Sequence, residues 1–315
     1  MNFTTKIPLV KSNNPIDYNS KIVYLGSCFA ENMAEKFEYF KFDNVVNPFG
    51  IIFNVVAIEK LIFRSIRKQY YTEKEIFFHN ESWHCYESHS ELSNPNKAEF
   101  LKNLNQLIDS TNKQITEATH FIITLGTAWV YKNIETNEIV ANCHKVPQKQ
   151  FTKELLSVQT VQESLQSIIA LINEVNKEAK FIFTVSPVRH IKDGFVENNL
   201  SKAHLISALQ TVIYNLKPVN YFPSYEIMMD ELRDYRFYAE DMLHPNQTAI
   251  DYIWIRFFEN YIDEKEFATM NQVCDIQKGL HHKPFNFESD SHQEFLSKLQ
   301  DKITKLVALY PFMKF

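Results

Sequence analysis

Four short apolar segments, separated by stretches with helical spacing, constrain the fold of this chain more than any other feature. The apolar segments cover residues 21–25, 120–125, 180–185 and 219–222. Near-continuous apolar runs of this length are typical of strands that are buried on both faces of a sheet. Helical patterns cover residues 31–40, 98–116, 158–177 and 200–216. This alternation predicts an α/β fold with a mainly parallel, doubly wound sheet.

Two segments interrupt the alternation, at residues 75–86 and 129–140. In the second, Thr136 and Asn137 separate two apolar stretches, which predicts a hairpin inserted after a strand. Further along the chain, Asn246 is a favoured N-cap and is predicted to begin a helix that runs to residue 258.

Near the end of the chain, the sequence turns polar after Gly279 and regains helical spacing from about residue 291 to residue 309. There is no internal repeat and no clear linker. We therefore predict one domain over residues 1–265, with a helical C-terminal extension over residues 266–315 that packs on the same domain.

The composition narrows the functional classes. The formal net charge of the 315 residues is −5, which gives no electrostatic case for binding nucleic acid. No apolar run reaches the roughly 18 residues that a membrane span needs, and the first residues lack a signal-peptide pattern. We expect a cytoplasmic protein that does not associate with membranes. The oligomeric state stays open.

The cysteines lack the C-x-x-C spacing of zinc or redox sites, so we expect free thiols, no metal and no cofactor. They are scattered along the chain at Cys28, Cys85, Cys143 and Cys274.

A candidate nucleophile lies where the first strand is predicted to end and a helix to begin, at Gly26-Ser27-Cys28. Active sites of open α/β sheets lie at the carboxyl ends of the strands. The unpaired amides of the first helical turn could stabilise an oxyanion on a substrate that Ser27 attacks. Two alternatives stay open: Ser27 only caps the helix, or Cys28, whose thiol pKa a helix N-terminus lowers, is the nucleophile.

A candidate base follows much later, at Asp241-Met242-Leu243-His244-Pro245. The Asp-x-x-His spacing can bring the carboxylate beside the imidazole, which fixes the ring's tautomer and leaves its other nitrogen free to accept a proton. Pro245 disfavours helical angles at His244, so the pair is predicted to lie on a loop before the next helix. Taken alone, this spacing is also typical of a surface ion pair.

At this point the sequence resembles a known family. The segment Leu25-Gly26-Ser27-Cys28-Phe29-Ala30 matches the motif that names the GSCFA family, which is similar to the SGNH (GDSL-like) hydrolases. Further matching segments are residues 47–50, 124–129, 142–144, 185–188, 221–226 and 241–245. The resemblance implies a flavodoxin-like three-layer α/β/α sandwich with a mainly parallel five-stranded sheet, and hydrolysis of esters without a metal.

The resemblance also assigns site residues. It implies a catalytic triad of Ser27, Asp241 and His244, and an oxyanion hole that includes the backbone amides of Ser27 and Gly50. A Gly-x-Asn block normally adds a side-chain amide, but this chain has Ala128 at the Asn position. Either Thr127 or Asn142 takes that role, or the oxyanion hole has one donor fewer.

Four further residues are predicted to contact substrate. The inserted segments are expected to bring His89 and His144 near Ser27, although a structural role is an equal alternative for each. Trp129 could form an apolar or sugar-stacking wall, with core packing as its alternative. Arg189 follows a strand end and would suit an anionic or polar substrate.

These features predict a serine esterase or deacetylase that acts through an acyl-serine intermediate on a small-molecule or glycan ester. Two alternatives remain: an acyltransferase of the same fold, and a ligand-binding module on a hydrolase fold that has lost its activity.

Overall fold

The computed structural model describes residues 4–216 and 219–315. Its central feature is a five-stranded parallel sheet with the strand order β10-β9-β5-β1-β2. The five strands are β1 (Lys21–Gly26), β2 (Asp43–Val46), β5 (His120–Leu125), β9 (Lys180–Val185) and β10 (Val219–Phe222). Because all five run in the same direction, their carboxyl ends share one edge.

Helices cover both faces of the sheet, which makes the fold a three-layer α/β/α sandwich as predicted. The helices are α1 (Cys28–Tyr39), α2 (Val55–Ile66), α3 (Lys97–Glu117), α4 (Val158–Val175), α5 (Phe195–Asn215), the single turn α6 (Ser224–Glu226), α7 (Gln247–Tyr261), α8 (Phe267–Leu280) and α9 (Asp290–Leu309). One layer is formed by α2, α3, α4 and α5, and the other by α1, α7, α8 and α9.

The alternation of side chains along each strand creates the two cores. In β1, Val23 and Leu25 pack in the core of the first helical layer, whereas Ile22 and Tyr24 pack in the core of the second. Strands β5 and β9 divide their apolar side chains in the same way. This explains why the sequence of each strand is apolar throughout instead of alternating with polar residues.

Two small antiparallel sheets account for the inserted segments. Strands β3 (Ile76–His79) and β4 (Ser82–Cys85) form a hairpin. A second sheet has the order β7-β6-β8, with bounds β6 (Trp129–Asn133), β7 (Ile139–Val140) and β8 (Phe151–Leu155). The hairpin predicted over residues 129–140 is therefore confirmed. Strand β8 was not predicted, because its sequence is short and half-buried and does not indicate a strand.

The C-terminal helices pack on the rest of the domain. Met270, Val273 and Ile276 of α8, and Leu299 and Leu306 of α9, are buried in the same apolar cluster as residues of α1 and α7. The extension is therefore continuous with the core of the second helical layer. None of the helices in the described ranges combines the length and apolarity needed to cross a bilayer.

Candidate active site

Gly26 determines how the chain leaves the sheet. Its φ is +136°, and a Cβ at this position would lie 2.1 Å from the carbonyl oxygen of Thr124 on β5. No residue with a side chain fits so close to a neighbouring backbone. The amide of Gly26 donates to Oδ1 of Asn47 at 2.8 Å. This tight turn joins β1 directly to α1 and puts Ser27 at the carboxyl end of β1.

Ser27 is the N-cap residue of α1, but its side chain makes no capping hydrogen bond. Only 1% of the residue is exposed, and its Oγ has no hydrogen-bond partner among the described residues. The structure therefore contradicts the alternative that Ser27 only caps the helix. An unpartnered hydroxyl in a buried position costs free energy and calls for another explanation.

Ser27 lines a crevice of about 510 Å³ at the carboxyl edge of the sheet, and His244 lines the same crevice. No hydrogen bond joins the two side chains in this structure, since Ser27 Oγ is unpartnered. The side chain of His244 is 49% exposed, so it lies at the open side of the crevice. In unliganded sites, hydrogen bonds between catalytic groups are often long and tighten only when substrate binds.

Asp241 holds His244 in one orientation. Its Oδ2 lies 2.6 Å from Nδ1 of His244, and its Oδ1 accepts the backbone amides of Leu243 and His244 at 2.9 and 3.0 Å. These amides, together with the imidazole, lower the pKa of the Asp241 carboxyl to about 2. The carboxylate stays ionised at neutral pH and leaves Nε2 of His244 as the free ring nitrogen.

Cys28 is a poor candidate for the nucleophile. Burial raises the pKa of its thiol, and the nearby carboxylate of Glu31 raises it further. A thiol that remains protonated at neutral pH is a weak nucleophile, because the thiolate is the reactive form.

Two of the backbone amides predicted for the oxyanion hole are already engaged. The Ser27 amide donates to the carbonyl of Thr124 at 3.1 Å, and the Gly50 amide donates to the carbonyl of Asn47 at 2.7 Å. Gly50 is also not among the residues that line the crevice. The expectation that these two amides are free donors is therefore wrong for this structure. The first-turn amide of Cys28, which lines the crevice, has no intrahelical acceptor and is the better backbone candidate.

Of the two residues considered as replacements for the missing amide, Asn142 is the better placed. Both Thr127 and Asn142 line the crevice. Thr127 Oγ1, however, is bonded to Ser201 Oγ at 2.8 Å and accepts the amide of Trp129. Asn142 Oδ1 accepts the amide of His144 at 2.8 Å, which fixes the side chain and leaves its NH2 group as a donor.

His89 and His144 do not line the crevice, which corrects the expectation that they contact substrate. His144 is 3% exposed, and its two ring nitrogens bond to the carbonyl of Cys85 and to Ser90 Oγ at 2.7 and 3.0 Å. Burial lowers the pKa of His144 to about 4. It is a neutral structural histidine that ties the hairpin β3–β4 to the loop after β7.

Trp129 and Arg189 do line the crevice, as expected. The indole Nε1 of Trp129 donates to the carbonyl of Glu197 at 3.1 Å, which fixes the ring as part of the crevice wall. His190 lies beside Arg189 in the same lining, and burial lowers its pKa to about 3. Its buried Nε2 has no partner among the described residues.

Lys202, on α5, is a site residue that the sequence analysis missed. It is 1% exposed, and its Nζ donates to the carbonyl oxygens of Gly126 and Ser186 at 2.7 Å each. These two residues directly follow β5 and β9, so one ammonium group holds both strand ends. The sequence did contain one indication that Lys202 is buried. Its spacing from the apolar residues Leu205 and Leu209 is helical, so all three lie on one face of the helix.

Within residues 4–216 and 219–315, no three His, Cys, Asp or Glu residues are grouped so that they could hold a metal ion.

The order of these features along the chain agrees with a family match. The sequence matches the GSCFA family over residues 21–257, which is most of the chain. The chain belongs to the GSCFA family. A second match, to the C-terminal domain of GSCFA domain proteins, covers residues 273–315 and therefore most of α8 and all of α9. No curated protein matches the chain.

A test of the buried lysine follows from its environment. Burial lowers the pKa of Lys202 to about 7, well below the value of an exposed lysine. Above pH 7 the unfolded chain therefore binds a proton that the folded chain has released, so this group makes stability rise with pH. We expect the free energy of unfolding of the wild type to rise, relative to that of Lys202→Met, by up to about 1.4 kcal/mol per pH unit between pH 7 and 9.

Urea denaturation of the wild type and of Lys202→Met at three pH values measures this difference. The tyrosines and cysteines titrate in both proteins, so their contribution cancels in the difference. A difference that is independent of pH would contradict the assignment of a buried, titrating ammonium to Lys202.

Proposed function

We propose that this GSCFA protein is a serine hydrolase that cleaves esters through an acyl-Ser27 intermediate. The observation that carries the proposal is the unpartnered Ser27 Oγ, buried at the carboxyl end of β1 in a crevice that it shares with His244. The Asp241 carboxylate that orients His244 adds support. The same order of residues and the α/β/α sandwich are also those of the SGNH hydrolases, to which we assign the chain as part of this proposal.

In the proposed reaction, Ser27 Oγ attacks the carbonyl carbon of the ester while Nε2 of His244 accepts the hydroxyl proton. The tetrahedral intermediate collapses, the bond to the alcohol oxygen breaks, and the alcohol leaves with the proton from His244. Water then attacks the acyl-Ser27 ester with His244 as base, which releases the carboxylic acid and restores Ser27. Asp241 stays ionised throughout and stabilises the imidazolium.

The first attack requires Ser27 Oγ and His244 Nε2 to come within hydrogen-bond reach, about 2.6–3.2 Å. His244 is half-exposed and lies, with Asp241, on the loop before α7. A small movement of this loop, or a rotation of the Ser27 side chain, forms the contact when substrate fills the crevice.

The alternative of a binding module without catalysis draws on one observation, the absence of a Ser27–His244 hydrogen bond in this structure.

Transfer of the acyl group to an alcohol instead of water uses the same acyl-Ser27 intermediate. The two outcomes differ only in the acceptor, so product analysis with an added alcohol distinguishes them.

Ser27→Ala tests the proposal directly. We expect the variant to lose hydrolysis of 4-nitrophenyl acetate by at least about 10³-fold, because the attacking oxygen is gone. Ser110→Ala is the matched control, since Ser110 is exposed on α3 and only donates to a carbonyl of its own helix. Retention of full activity by Ser27→Ala, with both variants folded by circular dichroism, would refute the proposal.

Asn142→Asp tests the side-chain donor of the oxyanion hole. The substitution keeps an oxygen that can accept the His144 amide but removes the NH2 group. We expect kcat to fall by about 10²–10³-fold, the range for loss of one oxyanion donor. Thr127→Val is the comparison, because Thr127 Oγ1 is already bonded to Ser201. If Thr127→Val lowers kcat more than Asn142→Asp does, Asn142 is not the donor.

A further inference from the structure

The mouth of the crevice carries positive charge that the protein itself does not neutralise. Arg189 and Lys192 both line the crevice, and neither forms a salt bridge with a carboxylate of the described residues. Asp193, the carboxylate beside them in the lining, is paired with Lys153. Asp241 is bonded to His244 and two amides. The nearby carboxylates are therefore committed to other partners.

Arg189 is held in place as a fixed feature of the site. Its guanidinium carbon lies 4.2 Å from the ring centroid of Tyr238 and 5.1 Å from that of Tyr235. Its backbone amide donates to the carbonyl of Leu243 at 3.2 Å, which joins it to the loop that presents His244. A guanidinium that is stacked on aromatic rings loses little rotamer freedom when it binds a ligand.

The rest of the crevice is mainly apolar. Ile51, Phe53 and Val188 contribute to the lining around Ser27. Such walls suit the hydrocarbon part of a substrate, whereas an anionic group finds its partners at Arg189 and Lys192. The crevice that holds Ser27 therefore offers a mainly apolar wall together with the unpaired cations Arg189 and Lys192.

We propose that Arg189 forms an anion subsite, so that the substrates of this protein are esters that carry a carboxylate. This inference rests on the proposed function, because it places the subsite beside the reacting centre at Ser27. The planar guanidinium matches a carboxylate with two parallel N–H donors. Arg189 is held by aromatic stacking whereas Lys192 is exposed, and the carboxylate of Asp193 lies in the same lining, so a single fixed cation favours a monoanion over a doubly charged phosphate.

Equilibrium binding tests the subsite without relying on turnover. In the Ser27→Ala background, isothermal titration calorimetry compares two matched pairs of esters. One pair, 3-acetoxybenzoate and 3-acetoxybenzamide, carries the charge on the alcohol side. The other, monomethyl glutarate and methyl glutaramate, carries it on the acyl side. We expect the carboxylate to bind at least about tenfold more tightly than the amide in one pair.

Arg189→Gln in the same background is expected to remove this preference and to change the Kd of the neutral amide by less than about twofold. Arg236→Gln is the matched control, because Arg236 is paired with Asp234 and does not line the crevice. The preference should persist in that variant. Equal affinities within both pairs, binding of neither ester, or a preference that survives Arg189→Gln would overturn the anion subsite.

These results are independent of the test of the proposed function. If Ser27→Ala retains full esterase activity while the carboxylate preference depends on Arg189, the nucleophile is wrong and the subsite stands. If Ser27→Ala is inactive but no preference is found, the hydrolase stands and the subsite is wrong.

Discussion

The close approach of Gly26 to the carbonyl of Thr124 is the constraint on which the rest of the site depends. With no Cβ to accommodate, β1 and β5 stay paired up to their last residues, and the chain turns at once into α1. Ser27 therefore lies at a buried strand end and not on a flexible loop. The same geometry uses the Ser27 amide as a donor to Thr124, so the oxyanion must be stabilised by other groups.

Lys202 extends this constraint to the next strand. Its ammonium group joins the residues that follow β5 and β9, so these two strand ends are held by a charge that has no carboxylate partner in the described hydrogen-bond network. Burying such a charge is costly unless its donors are satisfied, and two short hydrogen bonds to carbonyls offset part of that cost. Ser201, the preceding residue, bonds to Thr127 Oγ1 and to the Ala128 amide, so α5 fixes the whole segment 126–128.

The sequence predicted the long apolar strands and the Asp241–His244 pair because both depend on local patterns. It did not predict β2, a four-residue edge strand whose residues are only half-buried, or α2. The Ser27 amide is engaged by the carbonyl of Thr124 on β5, a contact between distant segments that residue spacing cannot reveal. The Gly50 amide is engaged by the carbonyl of Asn47 in a local turn. For His144, the sequence left two roles open, and only the contacts with Cys85 and Ser90 decide between them.

Whether Ser27 is an activated nucleophile is measured by the site of covalent modification by a fluorophosphonate, mapped by tandem mass spectrometry on the folded protein at neutral pH. Labelling requires a nucleophile that an adjacent base activates. We expect one adduct, on Ser27, and its loss in Asp241→Asn, where the imidazole is no longer held in the required tautomer. An adduct on Cys28, or no adduct on the folded protein, would contradict this expectation.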